Sequence, residues 1–400
     1  GYTMIVAETA IGRMTRKSPV GAFKSFGKKK WLSFGGWINA VIPVLIVPYY
    51  SVIGGWVIKY LVEYFRGNAK QLAEDGYFTD FISNGVSTEL CFMAFCAFTL
   101  IIIFAGVQNG IERVSKIMMP ILIVLSVIIA VYSVTRPGAL AGVKYFLVPN
   151  VKNFSWMTVV SAMGQMFYSL SIAMGILITF GSYMKKDTAI EDSTRNVEVF
   201  DTGIAIMAGL MIIPAVFAFS GGDPDTLQAG PSLMFITIPK VFQNMGFGTV
   251  IGIVFFLLVL FAAVTSSIAL TESAVSTFED ELGWGRKKAT VLVGVIMLAL
   301  GSLSSLGYGP LAGIKIIGMQ FLDLFDFLTN SVMMPIAALL TSLLVSRVVG
   351  IDKIEDEIIH GESAFRRKKV FVVMIKYLCP VFAIIILLSS VANALGWIKM

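Results

Sequence analysis

The 400-residue sequence is poor in the residues on which most soluble chemistry depends. It has a single histidine, His360, which removes most zinc-site and serine-triad chemistry. Its three cysteines, Cys91, Cys96 and Cys379, lie in apolar runs, form no CxxC pair and read as small buried hydrophobes. Charged residues make up 14% of the chain, where a soluble domain has roughly a quarter. Hydrophobic residues reach 56% and the mean hydropathy is +0.83. So few charges cannot cover a water-facing surface, and most of the surface must face lipid. Soluble enzymes, nucleic-acid binders and disordered scaffolds are thereby excluded. The net charge of +6 is better explained by lysines and arginines in cytoplasmic loops than by a nucleic-acid partner.

A bilayer-crossing helix needs about 20 apolar residues. Nine runs qualify, at about 35–62, 89–107, 115–135, 157–183, 200–220, 247–276, 288–308, 322–346 and 370–395. They form one transmembrane unit. A tenth run, Tyr2 to Ile11, is too short to span and reads as the second part of a helix whose first half is absent (a partial helix over 1–12). No cleavage pattern follows it, so it is not a signal peptide. If the chain enters the cytoplasm at Arg13, loops 13–31, 108–116, 184–198, 279–288 and 347–369 hold 21 of the 31 basic residues. The positive-inside rule makes those loops cytoplasmic. The Lys28-Lys29-Lys30 run serves as a topology signal or as a contact for anionic lipid. Residues 225–245 are half apolar but broken by Gly230-Pro231 and Pro239. They read as an extracellular re-entrant hairpin packed on protein, or as an amphipathic surface loop.

Polar residues inside apolar spans are the informative ones. Ala262, Thr265 and Ser266 share a helix face. One carbonyl and two hydroxyls there suit a small hard cation that must leave again, or the hydroxyls bond back to the preceding turn. The stretch from Gly164 to Gly175 concentrates small and hydroxyl residues at the centre of its span. It suits a discontinuous helix, whose half-helix terminus attracts a carboxylate and whose free carbonyls attract a cation. It equally suits a tight crossing of small residues. Asp201 is a site carboxylate or an interfacial acid. Glu8 requires an internal partner if buried. Asp323 and Asp326, near the outer end of the 322–346 span, are functional acids or solvated helix-start acids. Tyr49 and Tyr50 follow Pro48 in mid-membrane, where a phenol needs a partner.

In its pieces AETAIGR (7–13), YY (49–50), GIERVSKIMMP (110–120), GQMFYSLS (164–171), GPSLMFITIPKVF (230–242), AAVTSSIA (262–269) and FEDEL (278–282), the chain resembles the bacterial branch of the neurotransmitter:sodium symporter family. The resemblance runs from Gly1 to about Trp397. It implies an all-α polytopic membrane protein with the inverted-repeat, leucine-transporter-like fold, matching the family's second to eleventh helices and lacking the first.

The resemblance also implies site roles. Tyr50 looks like the tyrosine that binds a substrate carboxylate. Ser169 and Asp201 look like ligands of a first sodium ion, and Ala262, Thr265 and Ser266 of a second, each site lacking the ligands of the first helix. An acid at 201, where relatives often have Asn, implies that chloride is not required. Glu8 looks like the acid that accepts bonds from the broken helix. Asp326, beside Gln165, looks like an outer gate, and Tyr183 with Asp280 like an inner gate. Gly110 and Pro120 match a motif linked to unwinding of the cytoplasmic half-helix. Ala173 departs from a glycine common at the break. Ile46, Ile53, Tyr168, Ser171, Met174, Ser267 and Leu270 would complete a substrate pocket without charge, fitted to a neutral, hydrophobic or aromatic L-amino acid. The implied activity is sodium-coupled symport by alternating access, without enzyme chemistry. A channel, or a non-transporting membrane subunit, is the alternative. The partners expected are an amino acid and the lipid bilayer, with no nucleic acid.

Overall fold

The computed structural model describes residues 1–397 and is almost wholly helical. The principal helices are α1 (Tyr2–Thr15), α2 (Lys30–Phe65), α3 (Gly85–Phe104), α4 (Val107–Val134), α5 (Trp156–Ser169), α6 (Ile176–Tyr183), α7 (Ile190–Ser220), α8 (Gly248–Leu282), α9 (Arg286–Leu306), α10 (Phe321–Val349) and α11 (Lys368–Ala394). Eight of them, all but α1, α5 and α6, are long and apolar enough to cross a membrane. They correspond to eight of the nine runs expected from hydropathy. The ninth run, 157–183, is not one helix: it is divided into α5 and α6 by residues 170–175.

Helix α2 is the axis of the bundle. Its most apolar stretch is 67% buried by protein, against 22% for α11, so α2 is surrounded by helices and α11 faces outward. It packs on α3, α8 and α9, while α4 packs on α7 and α8, and α10 on α11. Pro43 and Pro48 sit inside α2. Such residues are tolerated in membrane helices because neighbouring groups satisfy the freed carbonyls. Residues 224–243 form a 3₁₀ turn and two short helical segments. Their Phe235 packs edge-on against Trp56 and Tyr60, and the Tyr60 hydroxyl donates to the Phe235 carbonyl at 2.8 Å.

The short helix α1 is buried along residues 2–13 and lies directly on α6. Glycines make this approach possible. A Cβ at Gly12 would fall 2.0 Å from the Ile178 carbonyl oxygen, and one at Gly181 2.5 Å from that of Thr9. The break is thus clamped from outside. Within it, Ser171, Ala173 and Gly175 all take left-handed backbone, with φ of 55°, 59° and 72°. This conformation is free for Gly175 and costs roughly 1–2 kcal/mol at each of the other two.

At the far end of α1, Arg13 is not a solvated loop cation. It is fully buried, and its Nε donates to Glu357 Oε1 at 2.7 Å. Its Nη1 donates to the Thr188 carbonyl at 2.5 Å and its Nη2 to the Glu357 carbonyl. Glu191, also buried, accepts from the Tyr2 hydroxyl and from the backbone N–H groups of Arg366 and Arg367. These bonds tie the segment after α10 to α1 and α7. Removing one partner of such a buried pair leaves an uncompensated charge, so Arg13→Met should destabilise the protein by ~3–5 kcal/mol, read as a lower midpoint of thermal unfolding in detergent. Ala173→Gly should act oppositely: relief of the left-handed strain raises the same midpoint, by about 1 kcal/mol, and a fall would show that the backbone there is unstrained.

Candidate functional site

The break between α5 and α6 positions the site. Its Ala173 N–H donates to Glu8 Oε1 at 2.8 Å, so a carboxylate from α1 satisfies a backbone group that the broken helix exposes. Glu8 is fully buried, and its second oxygen, Oε2, has no protein partner among the described residues. At the other edge of the break, the Ser169 hydroxyl donates to Asp201 Oδ1 at 2.7 Å, joining the end of α5 to α7. These two carboxylates thus engage opposite ends of one short unwound segment.

A cavity of about 170 Å³ opens beside it, lined by Tyr50, Tyr168, Ser169, Ser171, Met174, Ile176, Ser266, Ala269 and Leu270. The wall contains hydroxyls and apolar groups and no charged side chain. Tyr50 of α2 and Ser266 of α8 both line the cavity. Three residues expected in the wall are elsewhere. Ser267 is fully buried and shares a 3.2 Å hydroxyl contact with Thr99 of α3, so its face of α8 is turned away from the cavity. Ile46 is buried in helix packing and Ile53 lies beside it on α2; neither reaches the wall.

The α8 cluster is displayed on a regular helix. Thr265 Oγ1 donates to the carbonyls of Phe261 and Ala262, at 3.0 Å each. This is the back-bonded form, and it leaves the hydroxyl lone pairs unused. Ala262 and Thr265 are half-buried and Ser266 is exposed.

Of the gate residues, Asp326 accepts from the Tyr49 hydroxyl at 3.1 Å and from Asn330 at 2.5 Å. Gln165 is exposed and makes no hydrogen bond to it. Tyr183 does not meet Asp280. Its hydroxyl donates to Glu272 Oε1 at 2.7 Å, while Asp280 accepts from the Ser18 N–H at 2.6 Å, capping the short helix Pro19–Lys24. Glu272 is fully buried and receives both arms of Arg286, at 3.0 and 2.5 Å. This three-residue lock joins α6, α8 and α9. The sequence reading passed over Glu272, although a carboxylate within an apolar run is the signal that singles out Glu8. Arg286 was counted only as a loop charge. Gly110 lies in a π-helical turn that opens α4, over Val107–Glu112, and Pro120 sits inside the regular helix that follows.

The chain matches known proteins over nearly its whole length. A family model described as the sodium:neurotransmitter symporter family matches residues 62–397. An uncharacterized sodium-dependent transporter of Bacillus subtilis, YhdH, is 33% identical over 98% of this chain and 87% of its own. An uncharacterized sodium-dependent transporter of Haemophilus influenzae is 30% identical, with the same coverage of both chains. Among solved structures, MhsT in complex with L-phenylalanine superposes with a TM-score of 0.85 at 32% identity, covering 98% of this chain and 88% of that one. The interrupted helix, the apolar spans and these matches agree: the chain is an integral membrane protein of the sodium:neurotransmitter symporter family, a sodium-coupled transporter and not an enzyme.

Proposed function

We propose that this protein carries a neutral, largely apolar L-amino acid across the membrane together with sodium, by alternating access around the break between α5 and α6. The observation that carries the proposal is the Ser169–Asp201 hydrogen bond beside an unwound segment and a charge-free cavity. An amino-acid zwitterion brings its own two charges. The Tyr50 hydroxyl can donate to its carboxylate, while Met174, Ile176, Ala269 and Leu270 accept an apolar side chain. Met174 is flexible and polarizable, which suits an aromatic ring. The bound L-phenylalanine in MhsT is in keeping with this class of substrate.

Sodium is the second cargo. Ser169 and Asp201 would supply a neutral and an anionic oxygen to one ion. Ala262, Thr265 and Ser266 would supply a carbonyl and two hydroxyls to another. Each ion moving inward gains about 2.3 kcal/mol per 100 mV. An ion that also touches the substrate carboxylate couples the two equilibria reciprocally, as linkage requires. The Asp201 carboxylate supplies a fixed negative charge, for which reason transport should proceed without chloride. The Tyr183–Glu272–Arg286 lock and the Ser18–Asp280 bond lie at the end of the bundle that the basic loops assign to the cytoplasm, and would close the inner side. Asp326 with Tyr49 would act at the other end.

Two variants test the ion assignments. Loss of a charge-assisted contact worth ~1.5–3 kcal/mol should make sodium-dependent binding of labelled phenylalanine to Asp201→Ala at least about tenfold weaker. Unchanged sodium dependence in a scintillation-proximity binding assay would refute the role of Asp201. Thr265→Ala combined with Ser266→Ala should shift sodium activation of uptake to higher concentration in proteoliposomes; a wild-type sodium curve would remove these residues from the ion path.

A further inference from the structure

Arg347 of α10 and Lys376 of α11 meet at one seam without a counter-charge among the described residues. Lys376 lies inside α11, eight residues from its start and so roughly 12 Å along the axis. Arg347 lies two residues before the end of α10. Neither has an ion-pair or hydrogen-bond partner among the described residues. Lys59 and Arg286, by comparison, are each paired within the bundle, with Glu63 and Glu272. An ionisable group in a membrane helix is costly and by default serves a function.

The geometry gathers these two charges. Both lie in π-helical turns, Leu344–Val349 in α10 and Met374–Leu378 in α11, and the two turns pack on each other. A π turn inserts one extra residue and redirects the side chains around it, often at functional positions. Arg347 and Lys376, with Ser346 and Tyr377, line a cavity of about 190 Å³ at this seam. The Ser346 hydroxyl spends its proton on the Ser342 carbonyl at 2.7 Å, so it can contribute only lone pairs. The ligand must therefore accept from the Arg347 fork, the Lys376 ammonium and the Tyr377 hydroxyl. A phosphate does so: the guanidinium engages two oxygens and the ammonium adds a point charge.

On the bilayer-centre side of Lys376, Tyr377, Val381, Ile384 and Leu388 are exposed on one face of α11 at i+4 and i+3 spacing. This is an apolar track leading from the cationic seam toward the bilayer centre. We propose that the seam between α10 and α11 binds the phosphate of an anionic glycerophospholipid, with its acyl chains along that track. Basic pockets between membrane helices bind acidic headgroups in this way. On the orientation proposed above, the lipid belongs to the cytoplasmic leaflet. Because α10 packs on the central helix α2, a lipid held here would brace the scaffold around which the broken helix moves.

The test is thermal unfolding of the purified full chain in detergent micelles, titrated with phosphatidylglycerol, phosphatidylcholine or sodium phosphate. Phosphatidylglycerol should raise the unfolding midpoint saturably, and the other two should not. Arg347→Gln and Lys376→Gln should each weaken its apparent affinity about fivefold, and the double variant about thirtyfold, the equivalent of ~1 kcal/mol per basic residue. The exchange pair Arg347→Lys with Lys376→Arg keeps both charges and should retain most of the response. An undiminished phosphatidylglycerol response in the double variant overturns the proposal. So does an equal response to phosphatidylcholine, which signifies general lipid solvation, or to sodium phosphate, which signifies a soluble-anion site. If the double variant does not fold, native mass spectrometry of the unmodified chain decides. Preferential retention of phosphatidylglycerol over phosphatidylcholine supports the site, and equal retention overturns it.

Discussion

Exposed main chain has no solvent in the interior of a bilayer. Any departure from a helix there must be answered by a protein group, because each unpaired N–H or C=O costs several kcal/mol. The bond from the Ala173 N–H to Glu8 is one such answer, and the rest of the architecture follows from providing it. Helix α1 lies against α6 at backbone distance through Gly12 and Gly181, which brings the carboxylate to the break. The unwound residues then free hydroxyls and the end of α5 to face Asp201 and the cavity. The broken segment is thus held in place by the elements around it and does not stand on its own preference, as the left-handed Ser171 and Ala173 indicate.

The same economy of polar groups governs one end of the bundle. Glu191, Glu272 and Glu357 are buried carboxylates, and each is met by a tyrosine, an arginine or backbone amides from a different helix. Charged contacts between helices differ from apolar packing in a way that suits a transporter. They are directional and weaken when water enters. Apolar contact along α2, α3 and α8 is not directional. The division is physical: apolar surfaces form the scaffold, and buried hydrogen-bonded charges tie its helices together at one end.

Much of this was written in one dimension. Hydropathy located eight helices, and composition alone placed the chain in lipid. The small and hydroxyl residues at 164–175 suited an interruption and a tight helix crossing equally, and the fold shows the interruption, between Ser169 and Ile176. Ser169 and Asp201 were legible as a pair only through resemblance, since 31 intervening residues carry no spacing signal. At the inner lock the two residues expected together have separate partners. Tyr183 and Asp280 were matched by motif, yet Glu272 is the partner that the fold delivers, because α6 runs alongside that turn of α8.

Length, apolar runs and the scarcity of charge determined from the sequence alone that this is a multi-span membrane protein. Those properties are local, since each depends on residues within one helix or one turn. The tertiary structure decided which carboxylate meets which donor, that Arg13 is buried instead of solvated, that Ser267 turns toward α3, and that Arg347 and Lys376 share one seam. These outcomes depend on how helices rotate and cross. A rotation of one residue changes a facing direction by about 100°, and the apolar pattern of a membrane helix, being nearly uniform around its circumference, does not specify that angle.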